Sequence, residues 1–197
     1  MRIYIVAGTI GTGITEVCTE LQEETFRNRG YRTGRMVIGR PDKIFIDGNL
    51  TAEEVIQRIQ SFLDTARAVP TEVIVSGTEV TKHALAIRSH WPNESKIIFV
   101  RKEDEAKSIE AGLRLLEHHI EYNETAFRQL LTEQIAIVNS SAASVGATWY
   151  NVDANDMFTF SDEALAVTLN MTDETIGITP YTGTISADAV PRQLAIY

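Results

Sequence analysis

Ile3-Tyr4-Ile5-Val6-Ala7-Gly8-Thr9-Ile10-Gly11-Thr12-Gly13-Ile14-Thr15 lies immediately after Arg2 at the head of the chain. Ile3 to Val6 is an apolar run of strand length. Beyond the glycines, Ile14, Cys18, Leu21 and Phe26 recur at near-helical spacing, so a helix is expected to about residue 28. A strand, a glycine-rich turn and a helix thus follow one another. Gly8, Gly13 and Thr15 stand in the register of G-x-x-x-x-G-K-[ST], the phosphate-binding P-loop, with Ile14 in the place of the lysine.

The chemistry of such a loop is local. A helix N-terminus aims several N–H groups at one point and adds the positive end of its dipole. Glycines let the backbone approach a phosphate. Residues 8–15, that is Gly8, Thr9, Ile10, Gly11, Thr12, Gly13, Ile14 and Thr15, are therefore the candidate phosphate-binding segment. The Thr15 hydroxyl stands where Mg²⁺ would be held. The absent ammonium would have neutralised transferring phosphates. A cation from another segment would have to replace it (Lys82, Arg35, Arg40, Lys102 or Arg114), or the ligand carries fewer phosphates than ATP, or binding outlives catalysis.

Downstream, strands and helices alternate. Strands are expected at 33–38, 43–47, 72–76, 96–100 and 147–152. Helices are expected at 80–90, 103–119, 123–142 and 161–171, and another follows the capping box Thr51-Ala52-Glu53-Glu54. The alternation implies βαβ units and a mostly parallel sheet. Residues 172–197 contain two prolines and little periodicity. They read as a C-terminal extension or arm beyond a domain of residues 1–171, packing on the body or on a second subunit of a homo-oligomer.

Composition narrows the classes. With 197 residues, 44% hydrophobic and 23% charged, the chain suits a single globular domain, and a cytoplasmic protein is the default. No apolar run reaches the roughly 18 residues of a membrane span. The start does not read as a secretion signal. Cys18 is the sole cysteine, so no disulfide forms within the chain. The net charge of −9 is uneven: residues 1–130 carry 17 Lys/Arg against 19 Asp/Glu, and residues 131–197 carry one against eight. Such a balance argues against nonspecific nucleic-acid binding.

From its loop onward the chain resembles the P-loop nucleoside monophosphate kinase superfamily, the adenylate-kinase-like enzymes in particular. Residues 3–13 carry the likeness. Ile97-Ile98-Phe99-Val100 before an acidic helical stretch, the helix over 123–142 and Asn151-Val152-Asp153 follow the same order over about residues 1–170. The resemblance implies a three-layer α/β P-loop kinase-like fold, ATP and Mg²⁺ as cofactors, and an arginine-rich lid. Here Arg101, Lys102, Lys107, Arg114 and Arg128 are spread along helices instead, and Lys82, Arg101 and Arg114 are the candidate catalytic cations. An acid near a strand end would order the metal, which points to Glu79 after Val73-Ile74-Val75 or to Asp47 after Ile44-Phe45-Ile46.

Each candidate has a plainer reading. Glu79 suits a helix N-terminus as a dipole partner, and Asp47 suits an Asp-Gly turn. Adjacent His118 and His119 point apart on a helix and read as surface residues. Cys18, Trp91 and Trp149 read as packing residues, with Trp91 beside a loop where a base could stack. No G-x-S-x-G elbow and no G-x-G-x-x-G fingerprint occur. Two functions follow. One is a phosphotransferase moving a phosphoryl group from ATP to a nucleotide-type acceptor. The other is a binding or scaffold protein that keeps the fold and has lost the reaction.

Overall fold

The computed structural model describes residues 2–29, 32–39, 49–65, 71–119, 122–152 and 192–197. Expectations for Gly30, Arg40, the strand over 43–47 with Asp47, Pro70, the helix over 161–171 and most of the C-terminal segment fall outside these residues. In chain order the elements are β1 (Arg2–Gly8), α1 (Ile14–Arg29), β2 (Arg32–Val37), α2 (Ala52–Thr65), β3 (Thr71–Ser76), α3 (Thr78–His90), β4 (Ser95–Lys102), α4 (Glu105–Leu116), α5 (Glu124–Ser144), β5 (Trp149–Val152) and β6 (Arg192–Ile196).

One six-stranded sheet has the order β2-β3-β1-β4-β6-β5. The first four strands are mutually parallel, as their helical crossovers require. β1 is flanked by β3 and β4, so its residues are buried on both faces and the run Ile3 to Ala7 can be apolar throughout. The pleat divides that run. Ile3, Ile5 and Ala7 join Val73, Val75, Ile97 and Phe99 under α2, α3 and α5. Tyr4 and Val6 join Ile74, Ile98 and Val100 under Val17, Cys18 and Leu21 of α1. Helices therefore cover both faces, and the fold is the expected α/β arrangement with a mostly parallel sheet.

The helix starts follow local chemistry. Thr51 N–H donates to Glu54 Oε2 at 2.7 Å, and Glu54 N–H donates back to Thr51 Oγ1 at 3.3 Å, closing the capping box before α2. Asp104 caps α4 by accepting from Lys107 N, and Asn123 caps α5 by accepting from Ala126 N.

Of the C-terminal segment only residues 192–197 are described, and Arg192–Ile196 form β6. It lies inside the sheet, antiparallel to both β4 and β5, with Phe99 opposite Ala195 and Tyr150 opposite Leu194. A boundary at residue 171 thus does not separate residues 192–197 from the sheet. The physical reason is that β5 is parallel to β4 but not bonded to it, and β6 satisfies the backbone groups of both. Leu194 is buried against the α1 face and Ala195 against the opposite face. Truncating Leu194→Ala should therefore lower unfolding free energy by about 2–5 kcal/mol in urea titration, the range for large-to-small changes in a packed core.

Candidate phosphate-binding site

The glycine loop leaves the C-terminal end of β1, and that end is central in the sheet. Gly8 N–H donates to Thr81 Oγ1, and the same hydroxyl donates to the Gly8 carbonyl, both at 3.1 Å, which fixes the strand end against α3. The chain then turns: Thr12 N–H and Thr12 Oγ1 both donate to the Thr9 carbonyl, at 3.1 and 2.7 Å. Gly11 and Gly13 have φ of 90° and 97°, in the region that side chains disfavour, so the glycines here are a backbone requirement. The first bond of the helix is Val17 N–H to the Gly13 carbonyl. The N–H groups of Ile14, Thr15 and Glu16 precede it and have no acceptor within the helix.

α4 and α5 press on the outside of this turn. Ile10 is buried with Leu113, Leu116, Phe127 and Leu131. Its N–H donates to the Oε1 of buried Gln134 at 3.1 Å. A Cβ on Gly11 would stand 2.6 Å from the Gly112 nitrogen, and one on Gly112 would stand 2.6 Å from Leu131 and 2.9 Å from the Ile10 carbonyl. Backbone meets backbone there, with no room for a methyl on either side.

On its inner side the loop borders a cavity of about 310 Å³. Gly8, Ile10, Gly11, Gly13, Ile14 and Thr15 line it, with Glu16, Arg35 and Val37, the strand end Ser76 to Thr78, and Leu115. Ile14 packs against the apolar cluster under α1, and its Cγ1 would stand 3.1 Å from a Cβ on Gly8. Val37 and Leu115, both exposed, supply apolar wall from two different elements.

The other expected site residues are distributed. Thr9 and Thr12 are buried within the loop and do not line this cavity. Lys82 and Arg114 are exposed on α3 and α4, and neither lines the cavity. Arg101 is held elsewhere: its Nε donates to Gln193 Oε1 at 2.8 Å and its Nη1 to Asn139 Oδ1 at 2.6 Å, and its guanidinium lies 4.0 Å from the Trp149 ring centre. Burial pushes the Arg101 pKa down, opposed by the nearby Glu105 and Glu103 carboxylates. Lys102 borders a separate, water-sized cavity of about 20 Å³. Glu79 is buried at the start of α3 and does not line the cavity; its Oε2 makes no hydrogen bond and lies 3.9 Å from His83 Nε2. A Cβ on Gly39, itself a cavity residue, would meet Glu79 Cγ at 3.0 Å. Among the described residues no group of three His, Cys, Asp or Glu side chains gathers to hold a metal.

Cys18, Trp91 and Trp149 are packing residues, as expected. Thr81, Gly112 and Gln134 belong to no motif that the sequence displays. For Gln134 a signal existed: it lies on one helical stripe with Phe127, Leu131 and Val138, a polar residue on an apolar face. Replacing it by an apolar residue of the same length, Gln134→Met, leaves the buried Ile10 N–H unpaired. Stability measured by urea unfolding should fall by about 1–3 kcal/mol, the cost of a buried donor without a partner.

No protein-family model matches the chain, and no curated protein matches it. Among solved structures it is similar to the shikimate kinase from Acinetobacter baumannii in complex with shikimate, with a TM-score of 0.52 and 15% identity over 86% of this chain and 93% of that one. A gluconokinase from Sinorhizobium meliloti 1021 aligns with a TM-score of 0.40 and 18% identity over 69% of this chain and 73% of that one, too loosely to bear on the site. The first likeness concerns the fold, and it does not single out the nucleoside monophosphate kinases. With its loop at the end of a central parallel strand, this chain has a P-loop kinase-like α/β fold.

Proposed function

We propose that this chain is a nucleotide-binding phosphotransferase that takes its phosphoryl group from ATP and gives it to a small acceptor of the nucleotide type. The observation that carries the reading is one cavity onto which Gly8, Gly13, the first turn of α1 and a guanidinium all open. Phosphates fit there because N–H groups without helical acceptors and the positive end of a helix dipole meet a loop with no side-chain bulk at its glycines. The volume is that of a small-molecule site. A kinase among proteins of this fold gives the reading its precedent.

The residues fit the cofactors in part. The Thr15 hydroxyl borders the cavity and would hold Mg²⁺. Glu79, whose buried Oε2 lies 3.9 Å from His83 Nε2, stands behind Gly39 and does not itself line the cavity, so it would act on such an ion only through an intervening water; Asp47, the other candidate, lies outside the described residues. Mg²⁺ would supply charge neutralisation on phosphate oxygens. The chain's own contribution is positioning: the loop fixes the phosphates, and Val37 and Leu115 offer an apolar wall to the body of a ligand. A C-terminal extension over residues 172–197, and a homo-oligomer built through it, belong to the same proposal.

A second reading has support of its own. Ile14 packs into the α1 cluster, Arg101 is bonded to Gln193 and Asn139 away from the cavity, and Lys82 and Arg114 lie outside it. These placements favour a protein that binds nucleotide without transferring phosphate. The two readings part in one experiment. Calorimetry with ATP and Mg²⁺ should show saturable binding, and product assays with nucleoside monophosphates, nucleosides and small hydroxy acids should then show transfer to one class. Binding without product in every class selects the second reading, and no binding at millimolar ATP, ADP or GTP defeats both.

A further inference from the structure

The cavity holds a cation that the loop motif does not account for. Arg35 is the only Lys or Arg among the described residues that lines it. Its position follows from the sheet. β2 pairs with β3 so that Arg35 stands opposite Ile74. Partners in a parallel pair point to the same face, and Ile74 belongs to the apolar cluster under α1. Arg35 therefore extends along the α1 face of the sheet, where its register neighbour is fully buried.

Arg35 itself is half-buried there, with its Nε enclosed, so its head group reaches the cavity while part of its polar surface still lacks a protein partner. The described partners are meagre. One Nη1–H reaches Thr19 Oγ1 at 3.5 Å, the outer limit of a hydrogen bond, and the buried Nε has no partner. No carboxylate among the described residues forms an ion pair with it within 4.0 Å. Thr19 lies one helical turn beyond Thr15, to whose carbonyl its hydroxyl donates at 2.9 Å. The guanidinium is thus stationed beside the first two turns of α1, on the wall of the cavity that the helix start also faces. Its field is felt in this region: it opposes the burial that raises the pKa of Cys18, on the same helix.

We propose that Arg35 supplies the positive charge missing at Ile14, so that a phosphate in the cavity is held between the N–H groups opening α1 and a guanidinium from β2. This rests on the phosphate-binding reading above and adds the residue that completes it. The chemistry suits the task, because a guanidinium fork takes two oxygens of one phosphate, whereas an ammonium acts as a point charge. It also explains how Ile14 can be spent on packing. With the cation on a neighbouring strand, the position in the loop is free to bury carbon against Gly8 and the α1 cluster.

The test is a double-mutant cycle on the full chain with ADP and Mg²⁺ as the probe, read by calorimetry. Arg35→Gln should weaken binding about tenfold or more, the scale of a lost charge-assisted contact. Arg35→Lys should weaken it less. Ile14→Lys should restore most of the affinity in the Arg35→Gln chain, and should gain far less in the wild-type chain, because the two cations would serve one phosphate. Unchanged binding in Arg35→Gln overturns the proposal, and so does an equal gain from Ile14→Lys in both backgrounds. If Arg35→Gln fails to fold by circular dichroism, the cycle is run with Arg35→Lys, where strict additivity with Ile14→Lys is the overturning result. A wild-type chain that binds no ADP is a different failure: it removes the phosphate-binding reading itself, and this one with it.

Discussion

The contact between the glycine loop and the α4–α5 pair is the constraint on which the site depends. Gly11 and Gly112 approach so closely that neither tolerates a methyl group, and Ile10 sends its side chain into the α4–α5 cluster and its N–H to Gln134. Residues more than 100 positions apart are thereby fixed to one another. A glycine-rich turn has high conformational entropy when free, and ordering it costs more per residue than ordering any other sequence. Here the ordering is covered by apolar burial on one side of the turn, which leaves the other side open. The loop faces its cavity already shaped.

Strand order explains why the open side is where it is. β1 is interior to the sheet, so its C-terminal end emerges between β3 and β4, with β2 one strand farther out. Three strand ends therefore contribute to one cavity: Gly8 from β1, Ser76 from β3 and Val37 from β2. In open α/β sheets the crevice beyond the carboxyl ends of the strands is where ligands bind. The chain as a whole is acidic, at −9, so attraction for an anion cannot come from net charge. Under the proposed reading it would come from local sources: oriented N–H groups, the α1 dipole and one guanidinium, acting against the Glu16 carboxylate on the same wall and where protein walls limit screening.

Much of this was legible in the sequence, and what was not shares a cause. β1 and β4 were visible as apolar runs because strands buried on both faces need no alternation. The capping box at Thr51 and Glu54 was visible because its chemistry is local. β6 was not: Arg192-Gln193-Leu194-Ala195-Ile196 is short and carries a polar start, and its strand character comes from the two neighbours whose backbone groups it satisfies. The same holds for the site. The loop was legible from its glycine spacing. Arg35 could be named only as one cation among several, because pairing register, not sequence position, brings it to the cavity. For Arg101 the converse holds: a basic residue at a strand end looks free in the sequence, and its partners lie on other elements.

Those partners give Arg101 a structural place. From β4 its guanidinium bonds to Gln193 on β6 and to Asn139 on α5, and stacks on Trp149 of β5. Asn139 in turn donates to Glu105 in the first turn of α4, at 3.1 Å. One half-buried arginine thus joins three adjacent strands and the two helices that hold the loop. Arginine serves this role better than lysine, because its planar fork satisfies two acceptors in fixed directions while its face remains available to an indole. The inserted strand is therefore more than an edge added to the sheet. It anchors the side chain that ties α5 and α4 to β4, and α4 is the helix whose Gly112 sets the position of Gly11. The C-terminal residues, remote from the loop in sequence, help to define the shape of the cavity beside it.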